Sequence, residues 1–219
     1  MKQKNLFIGA AAALVVMFAG ATMWFSSSKS VAPGVTAAPN QATLVRAHSI
    51  TLGPADAPVT IVEFLDPACE TCATFYPYVK DMMAANPGRI RLVLRWAPFH
   101  DGSQDVVAMI EAARKQDMLW PALEALLASQ AEWSPGHTPQ AAAAWKQLEG
   151  LGLNRERMIA DMASPEIARM IAQDVEDVRT LNVKATPEFF VNGQPMPSFG
   201  YEQLKQLVDD ALKATQKAP

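Results

Sequence analysis

The chain has 219 residues, with 19 basic and 22 acidic side chains and two cysteines. Two cysteines exclude a disulfide-dense scaffold and cannot alone complete a four-ligand structural zinc site. A formal net charge of −3 argues against nucleic acid as a partner held through its phosphates, and a half-apolar composition argues against a disordered chain.

The charge is unevenly spread. Residues 1–29 carry Lys2, Lys4 and Lys29 and no acid, which leaves the remainder at −6 and suggests a targeting segment ahead of an acidic body. From Leu6 to Phe25 the chain is uncharged, about the length of a bilayer-spanning helix. Ala19-Gly20-Ala21 has the small-x-small form of a cleavage site, so a cleaved signal and an uncleaved anchor are both open. The apolar run continues past that site through Met23, Trp24 and Phe25, which favours the anchor. Either way the rest of the chain is exported. Residues 26–47 contain Ser, Ala, Pro, Thr and Gly without helical periodicity, and are expected to form a flexible linker. The folded domain is expected over 48–219.

Within that domain, Val59–Leu65 is a β-branched, apolar run expected to be a buried strand. Asp66-Pro67-Ala68 ends it, and a helix follows from about Cys69 to Ala85, stopped by Asn86-Pro87-Gly88. Ile90–Trp96 is a second strand, so the segment is a βαβ unit with a parallel pair. Residues 103–181 are helical in pattern, with room for about five short helices, an insertion spanning about 101–181. Asn192-Gly193, between Glu188–Val191 and Gln194–Met196, predicts a hairpin. A last helix is expected from Tyr201 to about Ala214. The order predicts a three-layer α/β domain with a helical insertion.

Cys69-Glu70-Thr71-Cys72 follows a strand and opens a helix. A helix N-terminus presents free N–H groups and partial positive charge, both of which stabilise a thiolate. Cys69, at the helix end, is the expected nucleophile. Cys72, one turn in, is the expected resolving thiol, able to attack a mixed disulfide formed at Cys69. A structural disulfide closing so short a loop stabilises little. A metal site needs further ligands, and His48, His100 and His137 are isolated in sequence. Cu(I) handling by the same cysteines is the alternative function. His100 is expected to be a solvated loop histidine, and Met158, Met162 and Met170 to be packing residues. Trp96, Trp120, Trp133 and Trp145 are expected in the core or at helix interfaces.

These features together resemble the thioredoxin superfamily, and within it the DsbA-like exported thiol:disulfide oxidoreductases. The resemblance rests on the acid-containing strand followed by CxxC (Glu63 to Cys72), on Ala185-Thr186-Pro187-Glu188-Phe189-Phe190-Val191-Asn192-Gly193, and on the helical insertion between them. It covers about residues 50–214 and implies a thioredoxin fold, three-layer α/β/α on a mixed sheet. It implies that Pro187 follows a cis peptide bond beside the cysteines, and that Thr186 pairs through its backbone with an extended substrate segment. Glu63, six residues before Cys69, becomes a buried acid able to exchange a proton with Cys72. Its alternative is an edge carboxylate facing water.

One departure bears on redox poise. Glu70-Thr71 stands where strongly oxidising members have Pro-His. The negative charge of Glu70 should disfavour a Cys69 thiolate, so a weaker oxidant is expected. The implied partners are protein thiols and disulfides and a membrane redox partner. No cofactor is needed, because the cysteines carry the electrons. A monomer is expected, extracytoplasmic or periplasmic and held at the inner membrane by its N-terminal helix.

Overall fold

The computed structural model describes residues 41–216. The expected membrane segment and most of the expected linker lie outside the described residues. Among those that are described, no helix is long and apolar enough to cross a membrane.

In chain order the elements are α1 (Gln41–Leu44), β1 (Ile50–Leu52), β2 (Val59–Leu65), α2 (Glu70–Ala85) and β3 (Ile90–Trp96). The helical insertion follows, with α3 (Ser103–Arg114), α4 (Leu119–Ala128), α5 (Gln130–Trp133), a 3-10 turn (Pro135–His137), α6 (Ala141–Gln147), α7 (Arg155–Met162) and α8 (Pro165–Thr180). The chain then returns to the sheet with β4 (Glu188–Val191) and β5 (Gln194–Pro195), and ends in α9 (Tyr201–Gln216).

The five strands run in the order β1-β3-β2-β4-β5. β2 and β3 are parallel, with Val59 opposite Ile90 and Leu65 opposite Trp96. The other three pairings are antiparallel, so the sheet is mixed as expected. β2 lies at its centre, and this explains why Val59–Leu65 is a near-continuous apolar run, interrupted at Thr60 and Glu63, instead of alternating: both of its faces are covered. Ile61 and Leu65 face the main core with Val79 of α2 and Leu204 and Val208 of α9. Val62 and Phe64 point the other way, into a second cluster with Leu44 of α1 and Val178 of α8. These are the three layers of an α/β/α domain.

The insertion contains six α-helices and a 3-10 turn, one helix more than expected, because Ser129 separates α4 from the four-residue α5. Side-chain caps start its last two helices. Asn154 accepts from the N–H of Arg157, and Ser164 from that of Ile167, with Pro165 in the first turn.

The linker expectation is corrected for its last residues. Leu44 is fully buried, and Arg95 of β3 fixes the segment from inside the domain. The guanidinium of Arg95 is fully buried and uses its whole donor set. Nη1 donates to the carbonyls of Thr43 (2.7 Å) and Leu44 (2.9 Å). Nε and Nη2 donate to Asp174 Oδ1, and Nη2 also to Asp177 Oδ2. Arg46 forks onto Asp177, and His48 Nε2 lies 2.6 Å from Asp174 Oδ1. Burial of Asp177 pushes its pKa up, but hydrogen bonds from Arg46 and Arg95 outweigh that and hold it below the usual carboxylate range.

Candidate active site

β2 ends in the turn Asp66-Pro67-Ala68, and Cys69 occupies the N-cap position of α2 with extended backbone (φ −81°, ψ 116°). No side chain caps this helix start, so its N–H groups remain available to a sulfur. Cys69 is 6% exposed and Cys72 fully buried, and both are free thiols. Both are buried, Cys69 at the mouth of the helix and Cys72 one turn beneath it.

Their proton affinities diverge. The Cys69 thiol is lowered from 9.0 to about 5. The hydrogen bond from Cys72 does most of this, burial opposes it, and the Thr186 side chain and the backbone N–H groups of Cys72 and Thr71 add to it. Cys72 is pushed well above its ordinary value, first by burial, then by its hydrogen bond to Cys69 and the charges of Glu63 and Cys69. A first deprotonation thus falls on the more accessible sulfur.

This runs against the expected effect of Glu70. That side chain is exposed and is not among the groups that set the Cys69 proton affinity. A charge turned into solvent is screened by water, whereas Cys69 sits at the uncapped start of α2, where the helix N–H groups lie nearest its sulfur.

Glu63 is fully buried, so the alternative of a water-facing edge carboxylate is excluded. The central position of β2 is the reason. Neither carboxyl oxygen has a hydrogen-bond partner. Burial, and then the charge of Cys69, raise its pKa to about 8.

From the other side, the Thr186–Pro187 peptide bond is cis, as the resemblance implies. The Cys69 thiol lies 3.2 Å from the carbonyl oxygen of Thr186. β4 follows directly, with Glu188 opposite Phe64 and Phe189 opposite Glu63. The structure therefore brings Cys69, Cys72, Glu63, Thr186 and Pro187 to one end of β2, with Thr71 in the first turn of α2.

Three features were not visible in the sequence. His100 is no solvated loop residue. Its Nδ1 lies 2.7 Å from Asp66 Oδ2, and its ring stacks on His137 with centroids 5.0 Å apart. Its partners stand more than thirty residues away along the chain, a distance over which spacing carries no signal. Asp66 itself is buried under hydrogen bonds from the loop after β3. Beyond α2 lies an aromatic patch in which Phe75 meets Phe199 at 5.0 Å and Tyr78 meets Tyr201 at 4.2 Å. Phe199 is 57% exposed. Its only sequence signal was an aromatic residue in a polar loop.

Among the described residues no group of three or more His, Cys, Asp and Glu side chains is arranged to hold a metal ion. Met158 is fully buried, and Met162 and Met170 pack against the core.

Comparison with known proteins bears on the family and the fold. A family model described as "Thioredoxin" matches residues 46–210. A Na(+)/H(+) antiporter NhaA from Herminiimonas arsenicoxydans is 34% identical over 65% of this chain, but the match covers only 22% of that protein. The chain thus spans about a fifth of the length of this antiporter relative. Disulfide bond formation protein D from Bacillus subtilis is 27% identical, over 74% of this chain and 76% of its own length. Among solved structures, a thioredoxin-like oxidoreductase from Silicibacter pomeroyi superposes with a TM-score of 0.67 at 29% identity, covering 82% of this chain and 99% of that one. BdbD from Bacillus subtilis superposes at 0.64 with 24% identity, covering 75% of this chain and 93% of its own. With its sheet order, its cis-proline segment and its inserted helices, the chain belongs to the thioredoxin family.

Proposed function

We propose that the chain is an exported thiol:disulfide oxidoreductase that exchanges disulfides with protein substrates through Cys69 and Cys72. The observation that carries this reading is the split between the two thiols: Cys69, at the helix mouth, is lowered to about 5, and buried Cys72 is raised.

In the oxidising direction a substrate thiolate attacks Cys69 of the Cys69–Cys72 disulfide. The S–S bond breaks, and Cys72 leaves as a thiolate that takes up a proton. A second substrate thiolate then attacks the substrate sulfur of the mixed disulfide, and Cys69 leaves as the stabilised thiolate. The substrate has lost two electrons and the cysteine pair has gained them. In the reducing direction the Cys69 thiolate attacks a substrate disulfide, and Cys72, once deprotonated, attacks Cys69 to release the reduced substrate. Glu63 serves as the proton exchanger for Cys72 in both directions: it is buried without a partner and holds its proton up to about pH 8. Backbone groups of Thr186, beside the Cys69 sulfur, receive an extended substrate segment as an added strand.

The N-terminal segment exports the domain and tethers it to the membrane, where a membrane redox partner resets the cysteine pair. The relatives named for disulfide bond formation support an extracytoplasmic site of action. Exchange with a dithiol peptide tests the assignment. Cys69→Ala should abolish exchange, and activity retained in that variant refutes the reading. Cys72→Ala should accumulate covalent complexes between Cys69 and substrate, and their absence removes Cys72 from the resolving role.

A further inference from the structure

Asp66 lies at the end of β2, three residues before Cys69, and none of its surface is exposed. Its carboxylate is saturated with donors. Oδ1 accepts from the N–H of Ala68 (2.8 Å) and the hydroxyl of Ser103 (2.6 Å). Oδ2 accepts from the N–H groups of Phe99 (2.8 Å) and His100 (3.0 Å), and faces His100 Nδ1 at 2.7 Å. Its main-chain carbonyl accepts from the N–H of Cys69 at 3.0 Å. One residue therefore ties the turn that presents Cys69 to the loop between β3 and α3. The helical insertion adds two grips on the same assembly. Gln130 Nε2 donates to the Pro67 carbonyl at 2.7 Å, and the His137 ring stacks on His100 at an interplanar angle of 10°.

Hydrogen bonds to a sulfur weaken steeply as the donor swings out of line. Cys69 occupies the N-cap of α2, and no side chain caps that helix start, so the setting of residues 66–69 decides whether the first N–H groups of the helix point at its sulfur. We propose that Asp66 is a positioning residue for thiol–disulfide exchange, its carboxylate holding the turn against the β3–α3 loop so that the first N–H groups of α2 converge on Cys69. The inference rests on Cys69 being the exchanging thiol.

The sign of the effect separates this role from others. A carboxylate acting through its charge would disfavour the Cys69 thiolate, so removing it would favour that thiolate. A positioning carboxylate does the reverse: its loss misaligns the donors, and the thiolate becomes harder to form. Asp66→Asn keeps the size and one acceptor oxygen, but turns an NH2 group toward N–H donors. In the full-length reduced chain, the pH midpoint of Cys69 alkylation by iodoacetamide should rise by about one unit or more, a tenfold loss of thiolate at any pH below both midpoints. A midpoint that stays put while thermal stability falls makes Asp66 merely structural and overturns the proposal. A midpoint that falls assigns it a charge effect and overturns it equally. If Asp66→Asn does not fold, Ser103→Ala and His100→Ala each remove one bond to the same carboxylate and should shift the midpoint upward by less. Wild-type midpoints in both overturn the proposal. Failure here is distinct from failure of the proposed function, because alkylation reads the thiol without any exchange partner. A wild-type protein with an acid-shifted Cys69 that exchanges nothing refutes the function and leaves the role of Asp66 standing.

Discussion

Replacing Glu63 with Gln in the reduced protein removes a buried acid while keeping its shape. In the folded state Glu63 titrates at about 8, against 4.5 for an ordinary glutamate. Between those values the folded protein retains a proton that the unfolded chain has already released. A group whose folded pKa is raised in this way, and which is an acid, weakens the fold as pH rises through that window. Each pH unit across it costs about 1.4 kcal/mol, on the order of 5 kcal/mol in total. Cys69 titrates in the opposite sense, since its folded pKa lies below the unfolded one, and it strengthens the reduced fold over nearly the same range. The wild-type curve is therefore expected to be flat, and the information lies in the difference between the two proteins. Urea unfolding under reductant at pH 5, 6, 7 and 8 should show the Glu63→Gln variant gaining on wild type at each step. Below pH 4.5 the offset should be constant. Parallel curves from pH 5 to 8, or a gap that closes with rising pH, would refute a buried, protonated Glu63.

Three further outcomes are expected. Arg95→Ala strands Asp174 and Asp177 without the guanidinium they share and should cost about 3–5 kcal/mol, with new protease cleavage within residues 41–48. Equal stability of the two proteins by urea titration would contradict it. Glu70→Gln should move the Cys69 alkylation midpoint by only a few tenths of a pH unit at physiological ionic strength, and a larger fall would restore Glu70 as the residue that sets the poise. Brief alkylation of the reduced protein at pH 7, read by peptide mass, should label Cys69 and spare Cys72.

The cysteine pair, its strand and helix, the parallel β2–β3 pair and the hairpin at Asn192-Gly193 were legible in the sequence, whereas the cis bond before Pro187 was implied by the family resemblance. Each depends on local chemistry or on a short motif. The burial of Glu63 was legible only through family resemblance, because alternation along β2 cannot distinguish a central strand from an edge. Strand β1 escaped notice because it has three residues and gets its order from pairing with β3, not from its own pattern. The same holds for α1, too short to be stable alone, which exists because Leu44 fills the second core and Arg95 binds its carbonyls. The Glu70 expectation turns on a related point. Sequence shows that a charge stands between two thiols but not which way it points, and here it points to water. Asp66 and His100 were invisible as a pair because a contact between the end of one strand and the loop after the next is set by the register of the sheet.

That register has an unexpected custodian at the far end of β4. Asn192, in the hairpin turn with φ 48°, takes the N–H of Thr60 on its side-chain oxygen at 2.8 Å, and its own N–H donates to the Thr60 carbonyl at 2.9 Å. These bonds staple the tip of the hairpin to the beginning of β2, opposite the end where the cysteines lie. Strands are inextensible rods on this scale, at about 3.3 Å per residue. Pinning one end of β4 at Thr60 therefore measures out where Thr186 and Pro187 arrive at the other end, in the way that the fixed end of a ruler determines its far mark. A slip of a single residue would turn Phe189 away from the core and move the Thr186 carbonyl off the Cys69 sulfur. Position 192 touches neither thiol, yet the distance between Cys69 and Thr186 is gauged from there.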